Sequence, residues 1–265
     1  RAGECVMKRS VASPVIAIFH REFDRFVKQK ARCISAIVRP LLWLVVFAAG
    51  FRSVLGIAIQ PPYETYITYD LYVTPGLIGM IALFNGMQSS LSMVYDRETG
   101  SMKLLMTAPV SRRLLLVYKL LETATISSLQ AYIFIGITIL YGVDLPWIGL
   151  LSCLPTIFIA SYFIALVGLI LASQVKELEN FAGVMNFVIF PAFFLSSALY
   201  PLWQIQETSE IVYQLAVLNP FTYIVESIRF GMHDTPLTAA TAGLVVASVS
   251  LSIVVHKLFT FGQTR

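Results

Sequence analysis

Between Leu145 and Val175 the chain carries no charged side chain at all. A run of that length has one natural solvent, the hydrocarbon of a bilayer, where about 20 apolar residues make a helical crossing. The rest of the chain agrees with that reading. Only 13% of the 265 residues are charged and 57% are hydrophobic, whereas soluble domains are about a quarter charged. At that composition the length allows about six crossings with little left for a soluble domain.

The expected spans are 37–59, 71–94, 114–141, one within 145–175, 180–200 and 238–255. Arg52 interrupts the first, at a depth where a cation snorkels outward or finds an acid. Pro155 marks an expected kink in the fourth, and Pro191 lies inside the fifth. In the sixth, Ala239, Gly243 and Ala247 recur every fourth residue, a small-residue face suited to close helix contact. Residues 1–33 hold eight Lys or Arg. Placed on a helix, Val15, Ile16, Phe19, Phe23, Phe26 and Val27 share one face and Arg21, Arg25, Lys28 and Arg32 another, the pattern of an interfacial amphipathic helix against anionic headgroups. Its apolar run is short, contains Pro14 and lacks a small-residue cleavage pattern, so no cleaved signal is expected. The fold expected is an all-α membrane protein: an N-terminal cytoplasmic segment (1–33) and a six-span domain (34–265).

Lys and Arg alternate along the chain. Eight precede the first span, none falls in the next link, four in the one after, none, then one, one, and two in the tail. By the positive-inside rule both termini are expected in the cytoplasm. The net charge of +4 is therefore spent at membrane surfaces and implies no nucleic-acid partner.

One polar interruption stands out, residues 95–113 and the apolar start that follows, YDRETGSMKLLMTAPVSRRLLL. It opens on Asp96, Arg97 and Glu98, turns at Gly100, passes through a short amphipathic piece (Ser101, Met102, Leu104, Leu105, Met106) and stops at Pro109, before the basic pair Arg112 and Arg113. An idle loop has little reason to show four large apolar residues among charges, so this is read as a cytoplasmic elbow that docks on a soluble partner. A second, shorter cytoplasmic link carries Lys176 and Glu177. Residues 201–234 are amphipathic and too short in each piece to cross. Asn219 and Pro220 form a helix start, Glu226 and Arg229 are spaced to pair, and the segment is read as two short helices dipping into the outer leaflet and returning. In the second span Asn85, Gln88, Ser89 and Ser92 make a polar stripe, which either lines an aqueous path or bonds neighbouring helices.

Several chemistries have no residues to perform them. There is no GxxxxGK[ST] phosphate loop, HExxH or GxSxG motif. Three scattered cysteines and three separated histidines make neither a disulfide framework nor a metal site. A proton- or sodium-driven carrier would hold ionisable groups near the bilayer midplane, and Arg52 apart the spans have none there. The energy source is expected in another polypeptide.

The run RETGSMKLLMTAPVSRRLLLVYKLL resembles the first cytoplasmic coupling region of the second ABC-type permease family, in its acidic start, glycine, leucine pair and APVSR-like ending. RPLLWLVVFAAGF, FPAFFLSSALYPLWQI and LAVLNPFTY agree in order and spacing, and the likeness is to the daunorubicin-resistance-like and nodulation-factor-exporter-like branches. The resemblance implies a permease of the bacterial inner membrane that exports an amphipathic, lipid-like, drug-like or saccharide substrate. It implies pairing with a second permease copy and with two cytosolic ATPase subunits, ATP and magnesium residing on the latter and no cofactor on this chain. Asp96, Arg97, Glu98, Gly100, Leu104, Leu105 and Pro109 would then seat in the ATPase groove, and Asn219 and Pro220 would belong to the outer gate. The rival from another class is a membrane anchor or sensory subunit that couples to an ATPase and transports nothing.

Overall fold

A computed structural model describes residues 30–51, 62–63, 67–100, 112–175, 177–233 and 238–261. Among these all regular structure is helical. The order is α1 (Lys30–Phe51), α2 (Tyr69–Glu98), α3 (Arg112–Leu140), α4 (Trp147–Gln174), α5 (Leu178–Phe194), three short helices α6 (Leu202–Thr208), α7 (Glu210–Leu218) and α8 (Pro220–Gly231), and α9 (Ala239–Phe261). The proposed N-terminal amphipathic helix and Arg52 lie outside the described residues.

Among the described residues, three helical segments are long and apolar enough to cross a bilayer: Tyr69–Glu98, Leu114–Leu140 and Gly149–Gln174. The pair α7–α8, bent by 74°, is a fourth if counted as one broken span. The remaining expected spans coincide with shorter apolar stretches at Ile37–Val46, Leu178–Phe194 and Ala239–Val255.

The centre of the bundle is α2, whose length is mostly buried. It packs against α1, α3, α4, α5 and α8. The α2–α4 crossing is close because both helices give up side chains there. A Cβ on Gly168 would come within 2.4 Å of Ser90 Oγ, and one on Gly86 within 2.7 Å of Ile164 Cγ2. Pro75 and Pro155 lie within α2 and α4. Pro75 falls in the first turns, where few intrahelical donors are lost. The small-residue face of α9 is not used in the same way: a Cβ on Gly243 would meet nothing within 4 Å.

At the end of the bundle nearest the elbow, Val94 of α2, Ala172 of α4 and Phe181 of α5 form a small buried core. At the opposite end, the stretch between α5 and α6 departs from helical geometry while Ser196, Ser197, Ala198 and Leu199 are all buried. Buried irregular backbone must find hydrogen-bond partners, and α2 and α8 supply them.

Candidate functional site

At the elbow end α2 continues helically through Asp96, Arg97 and Glu98, so these charges form its last turn rather than a free loop. Thr99 closes that turn, its N–H donating to the Tyr95 carbonyl at 2.9 Å. Gly100 then adopts φ +75°, a left-handed conformation that glycine reaches without steric cost. Asp96 is buried, Arg97 half-buried and Glu98 exposed. Arg97 Nη1 donates to the carbonyl of Val175, just past α4, at 3.4 Å. A cation there complements the negative end of the α4 dipole. The second link begins at that same carbonyl. In it Glu177 Oε2 accepts from Asn180 Nδ2 at 2.6 Å, and Phe181 inserts between α2 and α4. The two polar links thus share one base. Ser101, Met102, Leu104, Leu105, Pro109 and Lys176 lie outside the described residues.

Deeper along α2, the polar stripe faces α3. Lys119 Nζ donates to Ser92 Oγ at 3.0 Å, and Ser92 in turn donates to the Ser89 carbonyl at 2.7 Å. Ser89 and Thr123 hydroxyls are 2.6 Å apart. Thr123 donates its proton to the Lys119 carbonyl, so Ser89 is the donor between them. One turn further along α2, and two along α3, Asn85 Nδ2 donates to Gln130 Oε1. Asn85 Oδ1, Gln130 Nε2 and the intervening Ser127 Oγ have no protein partner. Gln88 is half-buried on the same helix. Asn85, Ser89 and Ser92 thus bond α2 to α3, the two arms that the elbow joins.

At the far end, Asn219 does two jobs. Its Oδ1 accepts from Phe221 N at 3.0 Å, capping α8 behind Pro220. Its Nδ2 donates to the carbonyls of Ala192 and Leu195, at 2.8 and 2.5 Å, where α5 ends. Arg229 is 1% exposed. Its Nη1 meets Glu226 Oε1 at 2.5 Å, its Nη2 donates to the Ser197 carbonyl at 2.9 Å, and its guanidinium covers the Tyr72 ring. Tyr72 and Tyr69 hydroxyls donate to the carbonyls of Ser197 and Leu199 at 3.0 and 2.9 Å. Residues 202–231 thus fold as three short helices, one more than expected, locked to the start of α2.

Sequence reasoning did not find Gln130, Thr123, Tyr72 or Ser197. Gln130 carried a signal, being an amide in an otherwise apolar stretch. Ser197 carried none, because it contributes through its backbone.

The comparisons with known proteins fall on this architecture. A family model described as ABC-2 type transporter matches residues 14–233. The chain is similar to transport permease ycf38 of Cyanophora paradoxa, 27% identical over 221 residues that cover 82% of this chain and 73% of the relative. It is also similar to nodulation protein J of Rhizobium leguminosarum bv. viciae, 23% identical over 252 residues, 94% of this chain and 93% of the relative. A third relative, the multidrug ABC transporter permease YbhR of Escherichia coli (strain K12), is 26% identical over 168 residues, 62% of this chain and 44% of the relative. With a family match that takes in α1 through α8, the chain belongs to the ABC-2 type transporter family.

Proposed function

We propose that this chain is the transmembrane permease subunit of an ATP-driven exporter, worked by a separate cytosolic ATPase. In that reading it has six spans, both termini lie in the cytoplasm of a bacterial cell with the permease in its inner membrane, and two copies pair over two ATPase subunits. ATP and magnesium belong to the ATPase. The cargo is amphipathic: lipid-like, drug-like or saccharide. The multidrug permease YbhR, among the similar proteins, supports a drug-like cargo.

One observation carries the reading: the base of the elbow and the second polar link meet at a single point through Arg97 and the Val175 carbonyl. A partner seated on Leu104 and Leu105 would touch both links at once. Its movement would pass into α2 and α3, which the ladder from Lys119 to Asn85 holds as a unit. The far end of α2 is tied to the outer helices by Tyr72 and Arg229, so a stroke delivered at the elbow arrives where substrate leaves.

The test is Leu104→Asp with Leu105→Asp, co-expressed with the ATPase. Membrane insertion should persist, while co-purification falls about tenfold or more and transport is lost, since two carboxylates in an apolar seat cost several kcal/mol. Undiminished co-purification would overturn the elbow assignment. Loss of transport with ATPase binding intact would favour a role for the elbow in transport other than docking.

A further inference from the structure

Arg39 is the third residue of the first expected span, at the depth of an interface by sequence alone. In the structure its charge lies deeper. The guanidinium covers the Phe84 ring, 3.8 Å from its centroid, and Phe84 stands at the middle of the 30 residues of α2. That helix is about 45 Å long, against about 30 Å of hydrocarbon in a bilayer. Any placement of α2 that crosses the bilayer therefore leaves its midpoint in the apolar layer. A charge at that depth marks a functional position unless another group pairs with it. Among the described residues no carboxylate pairs with Arg39, and its N–H groups reach no acceptor.

The side chains beside it form a seat with two characters. Trp43, one turn along α1, packs on Phe193 and Phe194 of α5, centroids 6.3 and 5.9 Å apart. The i, i+4 spacing puts Arg39 on the same stripe as Trp43, turned to the seam where α2 and α5 meet. Toward the elbow from Phe194, α5 exposes Phe190, Phe187 and then Asn186 along one face. On α2, Gln88 is half-buried one turn from Phe84 and makes no hydrogen bond among the described residues. Aromatic rings beside an unpaired guanidinium and two amides suit a ligand with an apolar body and an anionic head.

We propose that Arg39 receives the anionic head of the cargo, a sulfate, phosphate or carboxylate, while the apolar body lies along Phe187 and Phe190 of α5. The planar fork of arginine fits such oxyanions with two parallel hydrogen bonds, and the Phe84 ring supports it from behind. An arginine does not give up its proton in a protein, so the residue binds an anion and carries no proton. The proposal rests on the export reading only in calling the ligand cargo; the anion site itself requires no ATPase.

The experiment uses the full chain purified in an uncharged detergent and two fluorescent probes of one skeleton, dansylaminoundecyl sulfate and the uncharged dansylaminoundecanol. Wild type should bind the sulfate about tenfold more tightly, the scale of a hydrogen bond to a charged group. Arg39→Gln should bring the two probes to parity with Tm at or above that of wild type, because an unpaired cation has gone. If that variant fails to insert, Arg39→Lys, which keeps the charge without the fork, should narrow the preference. Equal binding of the two probes by wild type would overturn the proposal, and is the result expected if a second copy already pairs with Arg39. A preference undiminished in the variant would overturn it too. Phosphatidylglycerol displacing the sulfate where phosphatidylcholine does not would identify the anion as a phospholipid headgroup, and displacement by neither as that of a single-chain amphiphile; both uphold the site. ATPase co-purification on the same samples keeps the two readings apart. A preference that depends on Arg39 without ATPase binding would sink the proposed export and leave the anion site.

Discussion

The guanidinium of Arg229 lies 4.1 Å from the centre of the Tyr72 ring, and both side chains donate to the one carbonyl of Ser197. A helix too short to span is thereby fixed to the central helix through a buried turn. The planar fork of arginine allows it to serve Glu226, Ser197 and the ring together, which a lysine ammonium cannot do. Arg229→Lys is expected to cost about 2 kcal/mol, the scale of a lost hydrogen bond to a charged group. Tyr72→Phe keeps the ring and should cost about 1 kcal/mol. Thermal inactivation in detergent should rank wild type above Tyr72→Phe and Tyr72→Phe above Arg229→Lys; the reverse order of the two variants would show that the tyrosine, not the arginine, holds the turn.

Glycines make a second set of outcomes. A Cβ on Gly149 would sit 1.6 Å from the Met232 carbonyl oxygen, a backbone atom that cannot swing aside. Gly149→Ala must therefore push the end of α8 away from α4. Gly168→Ala meets Ser90 Oγ, which can rotate, and the Gly86 carbonyl at 3.1 Å. Gly243→Ala meets nothing. Expression and Tm should fall in the order Gly243→Ala, near wild type; Gly168→Ala, lower by about 1–3 kcal/mol as for an overpacked core; and Gly149→Ala, lowest. A large defect from Gly243→Ala would mean that α9 is closely packed against a second copy.

These glycines show what the sequence could and could not disclose. The apolar runs and the Asn219–Pro220 start were both legible, because each follows from local solvent preference or backbone chemistry. The small-residue repeat in α9 was equally visible, yet the close approaches fall at Gly76, Gly86, Gly149, Gly168 and Gly231, which form no common repeat. Close approach is a property of two surfaces, and a single chain segment describes one of them. The same holds for the stripe on α2: its polarity was plain, whereas its partners Thr123 and Gln130 depend on how α3 is rotated against it.

That stripe can be tested as glue against pathway. Asn85 and Gln130 share one hydrogen bond and each keeps a buried atom without a protein partner. Asn85→Leu alone strands the Gln130 amide and should cost about 1–3 kcal/mol, whereas Asn85→Leu with Gln130→Leu removes both polar groups and can be nearly neutral. Tm of the two singles and the double completes a mutant cycle. A double variant that is stable and still transports identifies the pair as a helix fastener. One that is stable but transports nothing would return these residues to the substrate path.

His233 gives the far end of the bundle a pH dependence. It follows α8 in the turn, its Nδ1 donating to the Arg229 carbonyl at 3.0 Å while the ring meets the edge of Tyr63, centroids 4.6 Å apart. Burial holds its pKa below the usual histidine value, opposed in part by the hydrogen bond to the Arg229 backbone, with a lesser lowering from the neighbouring Arg229 charge. The groups around it are Arg229, its partner Glu226 and the Tyr63 phenol. Because the folded pKa is depressed, the unfolded chain takes up the proton first as pH falls through about 6.5. The stabilisation from neutral His233 is complete above that value and is lost progressively below it. Tm measured between pH 8 and pH 5 should therefore decline more steeply for wild type than for His233→Gln, which keeps a donor for the Arg229 carbonyl and cannot titrate. Parallel curves would show that the ring protonates without disturbing α8.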